Sequence, residues 1–305
     1  MDTQSVLNSA KAHLEGLSGH VFDLLSISKP VSPEAAVNLA KVISKLSPLL
    51  GNLIEFNAVE FLNDRKDFVK YGKWKRQDPG FPDTVFEGDI HPTPGFEIKA
   101  WFPLATEITA RFRDSQNNFI QDQTYVCLLA WLPDKLIYGK PRILDVSIVS
   151  GLSIAKARDR HYHNPPDYLV LEPEDTSART SNLQQTNTNG HKWQGTRSQF
   201  AEAEKLVKSW GPEGCVYEPS VEYQKKLREL ITLFPYRLDT NFAKMDRVAH
   251  GEVEKFKSRV LNTNYCGMKI LDWAKLLCSD DNNTTKLALK NKLDITEIDA
   301  EKILR

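Results

Sequence analysis

From Ser32 to Asn63 the apolar side chains recur with the three-to-four-residue spacing of a helix buried on one side. Ser32-Pro33-Glu34 supplies a cap, a proline in the first turn and an acid near the positive helix end. Val37, Leu39, Ala40, Val42, Ile43 and Leu46 follow in register, and a further helix is predicted from Ser47-Pro48 through GNLIEFNAVEFLN. The pattern then changes. DRKDFVKYGKWKR (64–76) is basic, with Phe68, Tyr71 and Trp74 interleaved, and reads as a helix end or a charged surface. Pro79, Gly80 and Pro82 end any helix. Two short strands, TVFEG and GFEIKAWF, are predicted on either side of the turn-forming DIHPTPG. TEITARFRDSQ fits a short helix capped by Thr106. YVCLLAWL, ILDVSIV and DYLVLE are apolar enough for buried strands.

Residues 156 to 197 are polar and too long for an ordinary connection, so they read as either functional or partly disordered. Beyond Ser198 the chain turns helical again in SQFAEAEKLVKSW, VEYQKKLRELITLF and NFAKMDRVAHGEVEKFKSRVL. It ends on TEIDAEKILR, which opens like a capping box. Helices, a sheet, then helices predict an α/β (α+β) layered fold: a central mixed sheet flanked by helices, with extra N- and C-terminal helices. The expected organisation is an N-terminal helical part (1–63), a core with polar loops (64–197) and a C-terminal helical part (198–305), joined in one compact unit.

Composition changes this picture little. Lys plus Arg and Asp plus Glu both number 40 in 305 residues, so net charge argues neither for nor against a polyanionic partner. No apolar run is long enough to span a bilayer, and the first residues lack a basic start and apolar stretch, so a cytoplasmic protein without membrane contact is expected. Cys127, Cys215, Cys266 and Cys278 form no C-x-x-C pair and are expected to be buried free thiols.

The chemistry concentrates in FPDTVFEGDIHPTPGFEIKAWF (81–102). Glu97 and Lys99 lie two apart on one predicted strand and therefore share a face. The turn lets Asp83 return beside them. Two carboxylates suit a hard cation such as Mg2+, held also by waters and phosphate oxygens. The cation polarises a phosphoryl oxygen and acidifies a bound water. An ammonium beside two carboxylates stays protonated, so Lys99 is read as an electrostatic group in preference to a base.

Pro82-Asp83, thirteen intervening residues, then Glu97-Ile98-Lys99 resembles the PD-(D/E)xK nuclease signature, and PGFEIKAWFPLATEITARFRDSQ is similar to the catalytic region of type II restriction endonucleases. The resemblance is sharp over about residues 50 to 120. It implies a PD-(D/E)xK restriction-endonuclease-like core, Asp83 and Glu97 as metal ligands, Lys99 as catalytic lysine and a glutamate from the preceding helix. Glu55 is favoured there, with Glu60 as the alternative. It further implies Mg2+ as cofactor, double-stranded DNA as substrate, a homodimer and, as a partner in the same restriction-modification system, a cognate DNA methyltransferase.

The DNA contacts expected on this reading are Lys73, Lys75 and Arg76 in the basic stretch, and Arg111 and Arg113 after the catalytic strand. Arg158, Arg160, His161, His163 and Asn164 in ARDRHYHNPP are expected from an irregular loop, and Arg179, Asn182, Gln184 and Arg197 from the amide-rich run that follows. Each has a plainer reading: Glu107 with Arg111 is a helix-stabilising pair, the basic stretch is a solvated surface, and Trp101 and Trp131 are core aromatics. Two other functions compete: a structure-selective repair or junction nuclease with the same core, and a DNA-binding protein with an inactive core.

Overall fold

A computed structural model describes residues 1–77, 80–104, 116, 119–171, 189–218, 220–239 and 249–296. Its N-terminal helices begin where capping chemistry places them. In α1 (Thr3–Glu15) Asp2 accepts from Ser5 N–H, and in α2 (Pro33–Val42) Ser32 accepts from Ala35 N–H with Pro33 in the first turn. A short 3-10 turn, Ile43–Leu46, joins α2 to α3 (Ser47–Asn63).

Five strands form the main sheet: β1 (Gly72–Arg76), β2 (Thr84–Gly88), β3 (Gly95–Trp101), β4 (Thr124–Lys135) and β5 (Tyr138–Ser150). They lie in sequence order. β3 and β4 are parallel and all other neighbours antiparallel, so the sheet is mixed. β4 is buried on both faces from Val126 to Leu132, which explains its unbroken apolar run. The predicted core aromatics Trp101 and Trp131 are buried.

Side-chain alternation gives the two faces different covers. Ala100 lies beside Gly51 of α3, while Trp101 on the opposite face meets Phe256 of α7 (Gly251–Asn262). α1 packs beside α3 and against β5. Both sheet edges are occupied. On β5, Gly19 N–H donates to Ile143 O (2.9 Å) and Ile143 N–H to His20 O (2.8 Å). On β1, the Asn63 side chain substitutes for a strand: Trp74 N–H donates to Oδ1 (2.8 Å) and Nδ2 donates to Trp74 O (3.0 Å).

Helix α4 (Gly151–His163) leads into a smaller antiparallel sheet of β6 (Tyr168–Leu171), β7 (Asn189–Trp193) and β8 (Tyr236–Asp239), ordered β6-β7-β8. α5 (Arg197–Lys208) and α6 (Val221–Leu233) pack on it through Leu169, Val207, Leu227 and Leu230. The main core instead gathers Val6 through Ala155 with Val253 through Ile295, the latter from α7, α8 (Ile270–Leu277), α9 (Asn282–Leu293) and the residues just beyond. A two-residue hairpin, β9 (Asn264–Tyr265) and β10 (Met268–Lys269), links α7 to α8.

Three expectations need correction. Part of the basic stretch is the strand β1, because Trp74 alternates with lysines and fills the core while they face solvent. ARDRHYH is the C-terminal half of α4, continuing Ile154 and Ala155 on a buried helix face. All four cysteines are free, but only Cys127 is buried, and Cys278 is exposed. The expected helices in TEITARFRDSQ and TEIDAEKILR fall mainly outside the described residues. Among the described residues, no helix is long and apolar enough to cross a membrane.

Replacing Asn63 with alanine leaves Trp74 N–H and C=O without protein partners at a covered edge. Denaturant unfolding of Asn63→Ala is expected to show a loss of about 1–3 kcal/mol, and Asn63→Asp, which keeps one acceptor, a smaller one.

Candidate active site

The antiparallel pairing of β2 with β3 ends at Thr84 opposite Phe96. β3 continues alone on that side, and the N–H groups of Ile98 and Ala100 point into the gap. Buried amides need acceptors. Asp83 Oδ2 takes Ile98 N–H (2.8 Å), and Glu55 Oε1, reaching across from α3, takes Ala100 N–H (3.3 Å). In return Asp83 N–H donates to Glu97 Oε2 (3.1 Å). Three carboxylates, Asp83, Glu55 and Glu97, are thus each held by a backbone amide. Glu60, by contrast, is exposed.

Lys99 closes the cluster. Its Nζ lies 2.6 Å from Glu97 Oε1 and 3.2 Å from Asp83 Oδ2. Burial pushes Glu97 up to about 7, more than the neighbouring Lys99 ammonium can offset, and the Asp83 charge adds to the rise. Glu55 is also raised to about 7 by burial, against the lowering influence of Lys99 and, more weakly, Arg76. Burial disfavours the Lys99 charge, but Glu97 and Asp83 together outweigh it, so its pKa is raised and the ammonium persists. The lysine can hold negative charge and orient water; it is not a base at neutral pH.

The donors fit a magnesium ion. Asp83 Oδ1 makes no hydrogen bond among the described residues, and Glu97 Oε1 holds only a lysine, a cation that a metal can displace. Among the described residues, no group of three or more His, Cys, Asp or Glu forms a self-sufficient metal cage. Two carboxylates completed by water and phosphate oxygens are the arrangement magnesium commonly takes.

Gly95, whose role the sequence reading missed, shapes this site. A Cβ there would lie 2.5 Å from Pro82 Cγ, so Pro82 packs over a bare backbone and Asp83 follows it down onto β3. The legible signal was a glycine opening a strand that the motif's proline must approach.

Lys73 and Lys75 project from β1 on the face that carries Val85, one strand away from the cluster. Both pair with the exposed Glu87, at 3.3 and 3.0 Å. Arg76 lies on the other face, close enough to Glu55 to influence it. Arg160 is exposed on α4 and Arg197 exposed at the start of α5, while Asn164 caps the end of α4. Arg158 departs from expectation. It is 1% exposed and pairs with the buried Asp159, which also accepts from Gln116 Nε2 (2.7 Å), so it serves the interior and not a DNA surface. His161 and His163 end α4 and so do not belong to an irregular loop; their side chains lie outside the described residues. Arg111, Arg113, Arg179, Asn182 and Gln184, with Glu107, also lie outside them.

Two outcomes follow. The folded-state pKa of Glu97 and Glu55 lies above the ordinary carboxylate value, so the native state binds more protons than the unfolded chain between about 4.5 and 7. Stability from these groups is complete below that window and lost as pH rises through it. Metal-free Glu97→Gln should therefore be more stable than wild type at pH 8, on the order of 1–3 kcal/mol, with the difference gone at pH 4.5; denaturant melts at both pH values read this. Gly95→Ala should disturb Pro82 and Asp83, and isothermal titration with Mg2+ is expected to show affinity reduced about tenfold or more.

No family model, curated protein or solved structure matches the chain. Its reading rests on the chemistry of this cluster.

Proposed function

We propose that the chain is a PD-(D/E)xK endonuclease that hydrolyses phosphodiester bonds in double-stranded DNA with Mg2+, acting as a type II restriction enzyme. One observation carries the reading: Asp83, Glu97 and Lys99 converge on the open end of β3, with Glu55 behind them. The pair of carboxylates would hold the metal, which when bound supplies Lewis-acid activation of the phosphate and of a water. Asp83 and Glu97, anchored by backbone amides, fix where that charge sits. Lys99, kept cationic by its neighbours, orients the attacking water and stabilises charge developing on the phosphate. Glu55 is positioned to accept a proton or hold a second-sphere water near neutral pH.

Lys73 and Lys75 support a nucleic-acid substrate by placing positive charge on the catalytic face beside β2. Cutting both strands of a duplex at a short symmetric site favours a twofold homodimer, and a matching methyltransferase would protect host DNA in the same system.

Purified protein incubated with a long natural duplex and Mg2+ is expected to yield discrete bands. A smear, or cutting confined to branched DNA, moves the assignment to a structure-selective nuclease. No cleavage with several divalent metals leaves the inactive DNA-binding reading. Asp83→Asn and Lys99→Ala should each lower cleavage by about three orders of magnitude while retaining DNA binding, and full activity in either removes the site assignment. Metal must compete with protons held by Glu97, so cleavage at limiting Mg2+ should climb with pH through about 7 and level off above it. A flat profile from pH 6 to 8 contradicts a role for that carboxylate.

A further inference from the structure

The catalytic face does not end at Asp83. Below it, toward the start of β3 and β4, an open trough of about 870 Å³ runs between the β2–β3 connection and the turn before β4. Its walls include Phe81, Pro82, Val85 and Ile120, with Gln77 and His91 as polar members. Pro82 and Val85 flank Asp83 in sequence, so trough and carboxylate cluster share one segment of chain. The size falls within the roughly 300–1,000 Å³ of sites that take small ring systems.

Ile120 is the unusual feature. It is 86% exposed, the most exposed large apolar side chain among the described residues, and it stands on the trough's rim. The turn that presents it is internally bonded: Gln121 N–H donates to Gln123 Oε1 (3.0 Å) and Gln123 N–H to Gln121 O (2.8 Å). Next to it, Phe119 meets Phe81 edge-on, with ring centroids 6.1 Å apart. Gln77 donates Nε2–H to Pro82 O (2.9 Å), and its Oε1 accepts no hydrogen bond among the described residues. An apolar wedge on a braced turn, an aromatic wall and an amide acceptor form a surface for a flat heterocycle with polar edges.

We propose that this trough is a nucleobase subsite, which takes the base next to the scissile phosphate out of its stack and holds it between Ile120 and Phe81. The assignment rests on the nuclease reading for its register, since the carboxylates mark where the phosphate lies. Apolar side chains inserted at a base step unstack it, and an extruded base recovers that cost by packing against protein. Here the wedge and the receiving wall stand on either side of one trough, a short reach from the proposed metal site.

The test is photo-cross-linking of a mixed-sequence duplex carrying 5-iodouracil in place of thymine, with Ca2+ replacing Mg2+ so that the DNA stays intact. Peptide mapping should place cross-links in residues 77–93 or 119–124. Ile120→Asp, a change at an exposed position that should leave the circular dichroism spectrum unaltered, should cut their yield about tenfold. Cross-links confined to the Lys73–Arg76 segment or elsewhere, or an unchanged yield in Ile120→Asp, overturn the subsite. Mg2+-dependent cleavage measured in parallel separates the two claims. Cleavage without trough cross-links removes the subsite and leaves the nuclease; trough cross-links without cleavage keep base binding and remove the hydrolase; neither result removes both.

Discussion

β3 runs past the end of its antiparallel partner, and the rest of the site depends on how its exposed amides are satisfied. A strand that outlasts its neighbour leaves N–H groups that must be bonded if the gap is covered by protein. Here the acceptors are carboxylates, from Asp83 before β2 and from Glu55 on α3. An ordinary sheet would extend β2 by two or three residues and fill the ladder. By turning away at Thr84, β2 frees that space for two negative side chains whose direction the backbone sets. The divergence therefore creates the site, and the sheet below it, pinned by β4 on the other side of β3, keeps it rigid.

Gathering Asp83, Glu97 and Glu55 in one covered gap has an energetic consequence. Three carboxylates share one ammonium, and burial raises two of them to about 7. Such a cluster is poorer for stability than an apolar filling of the same volume. A fold that needed only a well-packed sheet end would not retain it. On the nuclease reading proposed above, a bound divalent cation would supply the missing positive charge and make the arrangement favourable. That is the expected signature of a place where stability has been exchanged for function.

Much of the sheet could be read along the chain because β3 and β4 differ so clearly from their surroundings. β4 is apolar at every position from Val126 to Leu132, as a strand covered on both faces requires. Glu97 and Lys99 could be placed on one face from spacing alone, and Glu55 lay on the helix predicted from Ser47-Pro48. What escaped was set by partners distant in sequence. Nothing local makes GKWKR a strand; it is one because Trp74 fits among Phe68, Phe86 and Phe96, and because Asn63 closes its outer edge. NGHKW in β7 has only five residues, and its pairing with β6 and β8 spans long intervals of chain. Arg158 reads as a surface residue in any scan of composition, yet its neighbour Asp159 and the distant Gln116 make an interior position tolerable.

The same distinction bears on how an overall neutral chain would hold the polyanion proposed as its substrate. Lys73 and Lys75 stand on the face that carries Glu97 and Lys99, but both are engaged by Glu87, so their field is partly cancelled before any phosphate would arrive. A phosphate must displace that carboxylate or share the lysines with it, and the net electrostatic gain is smaller than two free lysines would provide. Removing the Glu87 charge should then strengthen DNA association and steepen its salt dependence, while leaving the order of preferred sequences unchanged. Glu87 faces solvent at the end of β2, and neutralising it as Glu87→Gln leaves the Asp83–Glu97–Lys99 cluster intact. Fluorescence anisotropy with labelled duplex in Ca2+, across a range of salt, reads both effects. A weaker or unaltered affinity would mean that phosphates approach by another face, and that β1 is charged to protect a sheet edge from pairing with other chains.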